Sequence, residues 1–169
     1  MNETMSTKCC IAGGGPAGMM LGYLLVRAGV KVLVLEKHGD FLRDFRGDTI
    51  HPSTLEVMHE LGLLDEFLKL PHQKVYELNA QFGDIRLTIA DFRHLPTRCG
   101  FVAFMPQWDF LNFLAENGSG YPTFNLKMDA EVIGLIDKFR TEIVKVAPYL
   151  QDRTKELRSW DEVNLLPSA

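Results

Sequence analysis

The period of apolar positions changes several times along the chain, and each change predicts an element. A short thiol and aliphatic run, Lys8 to Ile11, ends at a cluster of glycines. Met19, Met20, Leu24, Leu25 and Val26 then recur at roughly helical spacing over residues 16–28, and Gly29 stands where a helix-ending glycine would. Lys31 to Leu35, "KVLVL", is a β-branched and aliphatic run suited to a strand buried on both faces. Further on, Ser53 and Glu56 have the spacing of a capping box, with Leu55, Met58, Leu61 and Leu64 as one helical face. Val75–Phe82 and Ile85–Ala90 alternate about Gly83-Asp84, which predicts a hairpin. Phe101–Met105 reads as a strand, and Pro106 and Gln107 open a helix through Phe110, Phe113 and Leu114 that stops near Asn117-Gly118. Phe124, Leu126 and Met128 alternate again before "EVIGLI". From residue 137 to Pro148 the pattern reads as an amphipathic helix with Phe139, Ile143 and Val146 on its core face, followed by a second short helix.

The order strand, glycine loop, helix, strand at the start gives those glycines a chemical meaning. Gly13, Gly15 and Gly18 fit G-x-G-x-x-G: the first permits the tight turn, the second lets a pyrophosphate approach the backbone, and the third allows close helix-to-strand packing. The helix N-terminus offers unpaired amides and a positive dipole end to phosphates. Glu36 ends the second strand, where a carboxylate accepts hydrogen bonds from ribose hydroxyls and repels a 2′-phosphate. This combination favours FAD or NAD over NADP at the loop.

Composition narrows the remaining classes. The chain has 169 residues, 46% hydrophobic and 24% charged, with a net charge of −4, which suits a soluble globular domain and argues against nucleic acid as a partner. Cys9, Cys10 and Cys99 have neither metal-ligand nor disulfide spacing, and the five histidines show no ligand spacing either. No apolar run approaches a membrane span or a signal peptide, so a reducing cytoplasm is the expected compartment. No side chain presents itself as a catalytic acid, base or nucleophile, and Ser53 and Thr54 lack a nucleophile elbow.

The glycine loop, "FRGDTIHPSTLEVMHELGL" and "MPQWDFLNFLAENG" together resemble the FAD-dependent aromatic-ring monooxygenases, the flavoprotein hydroxylases related to p-hydroxybenzoate hydroxylase, over Lys8 to about Ile136. The resemblance implies that Gly13, Gly15, Pro16, Ala17 and Gly18 line the pyrophosphate of FAD. It assigns Glu36 and Lys37 to the adenosine ribose, Arg46 and Gln107 to the flavin side, and the backbone of Val132 to the adenine, in a strand returning to the first sheet. Arg46 lies in a loop where packing alone gives little reason for a guanidinium. The implied fold is α/β: a Rossmann-like FAD-binding domain with a parallel sheet, a partial β-rich substrate lobe and a C-terminal helical tail. The corresponding boundaries are 1–70 for the FAD/ADP-binding region, 71–105 for the substrate lobe, 106–136 for the return to the FAD-binding domain, and 137–169 for the tail.

The implied activity is hydroxylation of a small aromatic or polyketide-like substrate, with NAD(P)H as transient reductant. Two motifs of that family lack a counterpart: a D-G motif touching both FAD and NAD(P)H, and a later G-D-x-x-H segment. "APYLQDRTKELRSWDEVNLL" resembles family sequence from further along, so the expectation is a shortened or internally deleted member joined near Ile136 and Asp137. A non-catalytic nucleotide-binding remnant, or a fragment completing a partner chain, is the alternative, and an NAD-dependent dehydrogenase is a third. Apolar edges left by such a deletion raise the expectation of self-association.

Overall fold

The computed structural model describes residues 5–42, 48–138 and 141–148. In chain order the elements are β1 (Cys9–Ala12), α1 (Pro16–Arg27), β2 (Val32–Leu35), β3 (Thr49–Ile50), α2 (Pro52–Glu60), α3 (Leu64–Phe67), β4 (Gln73–Val75), β5 (Glu77–Phe82) and β6 (Ile85–Asp91). A 3-10 turn (Phe92–His94), β7 (Val102–Phe104), α4 (Gln107–Ser119), β8 (Phe124–Lys127), β9 (Ala130–Lys138) and β10 (Thr141–Pro148) follow. The chain divides into two compact units, residues 1–41 with 114–169, and residues 42–113. Among the described residues, no helix is long and apolar enough to cross a membrane.

The first unit is built on a parallel sheet in the order β1-β2-β8, with Ile11 opposite Val34 and Val34 opposite Leu126. Every side chain of β2 is buried, as expected of the middle strand of a parallel sheet. Helix α1 packs on this sheet through Met19, Gly22, Tyr23 and Val26, an i, i+3, i+4, i+7 set. Leu24, expected inside, is 40% exposed, because Gly22 and Tyr23 occupy the inward positions. A Cβ on Gly22 would stand 2.9 Å from Val34 Cγ2 and 3.2 Å from Phe124 Cε2, so the absent side chain sets how closely helix and sheet approach. Gly29, at φ +78°, ends the helix by donating to the Val26 carbonyl, while Val30 donates to that of Leu25.

Residues 130–148 correct two expectations. The segment expected to be helical up to Pro148 is a strand from Thr141 onward, antiparallel to β9, with Ile143 opposite Ile136 and Val144 opposite Leu135. Thr141, Ile143, Val144 and Val146 are β-branched and favour a strand once a partner is available. The join expected near Ile136 and Asp137 falls within β9. Strand β9 pairs with β10 and does not enter the parallel sheet. The second helix expected after Pro148 lies outside the described residues.

The second unit contains the three-stranded antiparallel sheet β3-β7-β4, the helices α2 and α3, the β5–β6 hairpin and the start of α4. Phe67 of α3 is buried edge-on against Phe110 and Phe113, with centroids 5.7 and 5.2 Å away. Helix α2 starts earlier than the capping box predicts: His51, not Ser53, is the N-cap, Pro52 opens the first turn, and no side chain caps it. Glu56 instead accepts the Arg98 amide at 2.8 Å, which ties the helix to a distant loop. The hairpin turns at Gly83-Asp84 as expected, pairing Phe82 with Ile85 and Ala80 with Leu87. Its base is closed by Asp91, which accepts from the Arg93 amide at 3.0 Å and pairs with the Arg93 guanidinium at 2.8 Å, while Arg93 also reaches Glu77 at 3.0 Å.

Two outcomes follow from these contacts. Gly22→Leu is expected to cost about 1–3 kcal/mol, because Val34 is stiff and fully buried and cannot retreat; the midpoint of denaturant unfolding measures it. The hydrogen bond and charge of Arg93 lower the Asp91 carboxyl from its ordinary 3.8 to about 2. A depressed carboxyl stabilises the folded chain above its unfolded value, and that contribution disappears as pH falls from about 4 towards 2. A carboxyl titration followed by NMR is expected to show an Asp91 midpoint near 2, returning towards the ordinary range in Arg93→Ala; an ordinary midpoint in the unsubstituted chain refutes the pairing.

Candidate nucleotide-binding site

The glycine loop leaves β1 at Ala12 and turns on Gly13, whose φ of +109° is unfavourable for any residue with a side chain. The Gly13 amide donates to the Leu35 carbonyl at 2.7 Å, so the turn is held against the end of β2. Gly15 is the N-cap of α1, Pro16 occupies the first turn, and the first helical bond runs from the Met19 amide to the Gly15 carbonyl at 2.9 Å. The amides of Ala17 and Gly18 therefore point out of the helix N-terminus. No acidic residue occupies that first turn, and the carboxylate beside it is that of Glu36, bonded to the Gly14 amide just before the N-cap.

The three fingerprint glycines differ in what they exclude. A Cβ on Gly18 would fall 2.0 Å from the Gly13 carbonyl oxygen, a backbone atom that cannot swing aside. Around Gly13 and Gly15 a Cβ would meet nothing within 4 Å. The same Cβ would stand 3.3 Å from Ile11 Cγ2 of β1, so the close helix-to-strand contact expected of Gly18 is present together with one to the loop's own backbone, and the space over Gly13 and Gly15 is open to a ligand. This cradle of open space, outward amides and a helix N-terminus fits a pyrophosphate.

Glu36, at the end of β2, is only 7% exposed. Its Oε2 accepts the Gly14 amide at 2.8 Å and its Oε1 accepts the His38 amide at 3.1 Å. A carboxylate oxygen accepts hydrogen bonds, which is the chemistry that ribose hydroxyls require. The backbone of Glu36 is equally engaged: its amide donates to the Lys127 carbonyl and its carbonyl accepts the Ala130 amide, both at 2.9 Å. The Asp129 amide donates to the His38 carbonyl at 3.0 Å, and Asp129 adopts φ +53° in the turn between β8 and β9. The loop after β2 is in this way tied to the β8–β9 turn.

The expected site residues divide by unit. Gly13, Gly15, Pro16, Ala17, Gly18, Glu36, Lys37 and Val132 all belong to the first unit. Lys37 stands beside Glu36 in sequence, and Val132 is half-buried against Leu33, Leu35 and Ala130, with its backbone opposite Val146. Gln107 opens α4 in the second unit, and Arg46 lies outside the described residues. Gly14 and Asp129 were not anticipated. Gly14 stands at a variable position of the fingerprint, and only the folded loop shows that a Cβ there would lie 2.9 Å from Glu36 Cβ. Burial, with the neighbouring Cys9 thiol, raises the Cys10 thiol above its usual range, which suits a packing role for it in β1. Among the described residues, no group of three or more His, Cys, Asp or Glu is placed to hold a metal ion.

The chain is 27% identical over 132 residues to 6-methylpretetramide 4-monooxygenase of Streptomyces rimosus, covering 78% of this chain and 32% of that enzyme. It is 36% identical over 109 residues to rifampicin monooxygenase of Rhodococcus hoagii, covering 64% of this chain and 22% of that enzyme. Among solved structures, p-nitrophenol 4-monooxygenase from Pseudomonas putida superposes with a TM-score of 0.73 at 22% identity, covering 87% of this chain and 38% of that one. The chain therefore spans between about a fifth and two fifths of the length of these relatives. The model of the FAD binding domain family matches residues 6–160, and with the loop, helix and carboxylate of its fingerprint in place, the chain belongs to that family.

Proposed function

We propose that this chain holds the adenosine diphosphate half of FAD for a flavin-dependent monooxygenation of an aromatic or polyketide substrate, with NAD(P)H as reductant. The observation that carries the reading is the open space over Gly13 and Gly15 beside a helix N-terminus without acid, with Glu36 fixed at its edge. The names of the monooxygenase relatives support the reaction class. Bound FAD would supply the redox chemistry between reductant, dioxygen and substrate. The chain's own residues orient the cofactor: the outward amides of Ala17 and Gly18 meet the pyrophosphate, Glu36 accepts from the ribose, and Lys37 stands at the same edge. The net charge of −4 supports a small molecule over nucleic acid as the partner, and the free thiols support a reducing cytoplasm.

A second reading, nucleotide binding without turnover, is favoured by one observation: the chain spans 32% of the first of these relatives and 22% of the second. The visible absorption spectrum of the purified protein, followed by titration with FAD, tests both. The expected result is a flavin spectrum, or saturable uptake of added FAD, that Gly18→Ala weakens by about tenfold or more, since its Cβ would displace the Gly13 carbonyl. A folded protein that takes up NAD but not FAD overturns the flavin assignment. FAD uptake with NADPH oxidation supports the monooxygenase reading, and uptake without it supports the second.

A further inference from the structure

The parallel pairing of β2 with β8 ends in an irregularity beside the glycine loop. Up to Lys127 the register is regular, and the Glu36 amide donates to the Lys127 carbonyl at 2.9 Å. Continued in the same pattern, the ladder would bring the Asp129 amide to the Glu36 carbonyl. That carbonyl instead accepts the Ala130 amide at 2.9 Å, and the Asp129 amide is sent on to the His38 carbonyl at 3.0 Å. Asp129 is thus an extra residue in the ladder, and its φ of +53°, the only positive value outside glycine among the described residues, turns its amide towards residue 38. Its carboxylate lies against Gly39, where an added Cβ would stand 3.0 Å from Oδ1.

We infer that Asp129 is a positioning residue for the ribose-accepting carboxylate, acting through its left-handed backbone. The bonds run in one series, all within the first unit. The Asp129 amide holds the His38 carbonyl at 3.0 Å, the His38 amide meets Glu36 Oε1 at 3.1 Å, and Glu36 Oε2 accepts the Gly14 amide at 2.8 Å. Residue 38 lies beyond the end of β2, so the peptide that orients Oε1 takes its place from the β8–β9 turn. Without the left-handed turn, the Asp129 amide no longer reaches that peptide and Glu36 loses the His38 amide. Glu36 is only 7% exposed, so water does not readily replace a lost donor. Aspartate, asparagine and glycine enter the left-handed region at small cost, whereas a β-branched residue there is an outlier. The role therefore belongs to the backbone conformation at 129 and does not need the charge. The inference rests on the nucleotide reading of the site, and it assigns the orientation of the ribose acceptor to a residue outside the glycine fingerprint.

Calorimetric titration of the whole chain with ADP and with 2′,3′-dideoxy-ADP, which lacks the ribose hydroxyls, tests it. The unsubstituted chain is expected to bind ADP about tenfold or more tighter than the dideoxy nucleotide. In Asp129→Val that ratio is expected to fall towards one, while Asp129→Asn and Asp129→Gly keep it. A general weakening of the fold lowers both affinities alike and leaves the ratio as it was. Should the valine chain fail to fold, Asp129→Ala, which is less strained, is expected to lower the ratio by a smaller factor. In the ligand-free chain, hydrogen exchange at the His38 amide is expected to be about tenfold faster in Asp129→Val than in Asp129→Asn. Equal affinities for the two nucleotides in the unsubstituted chain remove Glu36 as the ribose acceptor, and this inference with it. A ratio that survives in Asp129→Val, or that is lost equally in Asp129→Asn, overturns the inference alone and leaves the nucleotide reading standing.

Discussion

The hydrogen bond from the Gly14 amide to Glu36 Oε2 joins two pieces of chain that are 22 residues apart. It fixes the loop after β1 against the end of β2, and it does so with a carboxylate that is almost withdrawn from water. A buried carboxylate is tolerated only when its oxygens are met by donors, and here the Gly14 and His38 amides meet one each. Because the same residue is bonded through its own amide and carbonyl to Lys127 and Ala130, the bond also locates the β8–β9 turn. The position of the acidic group beside the loop is a consequence of this constraint, and the helix start at Gly15 sets the outward direction of the amides next to it. The cradle is shaped before any ligand arrives, which lowers the ordering cost of binding.

That constraint explains what was legible in the sequence and what was not. Gly13, Gly15, Gly18 and Glu36 carry local signals, because a turn at positive φ, an open approach and a strand-ending acid are each written in residue type and spacing. Gly14 and Gly22 carry none. Their requirement arises from a neighbour distant in sequence, Glu36 in one case and Val34 with Phe124 in the other. The outward position of Leu24 has the same origin, since a glycine and a tyrosine turn inward where periodicity alone favours the leucine.

The misread segment after Asp137 shows the limit of periodicity from another side. Phe139, Ile143 and Val146 satisfy a helical period, yet Thr141, Ile143, Val144 and Val146 satisfy the preference of an extended chain. Over about ten residues both fits are acceptable. The decision falls to the partner strand, because Ala130–Lys138 offers a ready ladder to the segment that follows it. The capping box failed for a comparable reason: Pro52 is well suited to the first turn of a helix, so it starts α2 before Ser53 can cap it, and Glu56 is released to bond a distant amide.

The two β-hairpins, finally, stand in different conditions despite similar patterns. Strand β9 begins at Ala130, which is buried with Leu33 and Leu35, so one end of its hairpin is anchored to the core of the parallel sheet. The β5–β6 hairpin is held at its base by Asp91, Arg93 and Glu77, which are solvent-screened and of modest strength, while its apolar residues remain exposed. Binary patterning has thus specified a face for burial that the described chain does not itself bury. The apolar residues of β2 and the Phe67 ring of α3 find cover within their own units, whereas the same alternation on this hairpin leaves Phe82, Ile85 and Leu87 more than half exposed.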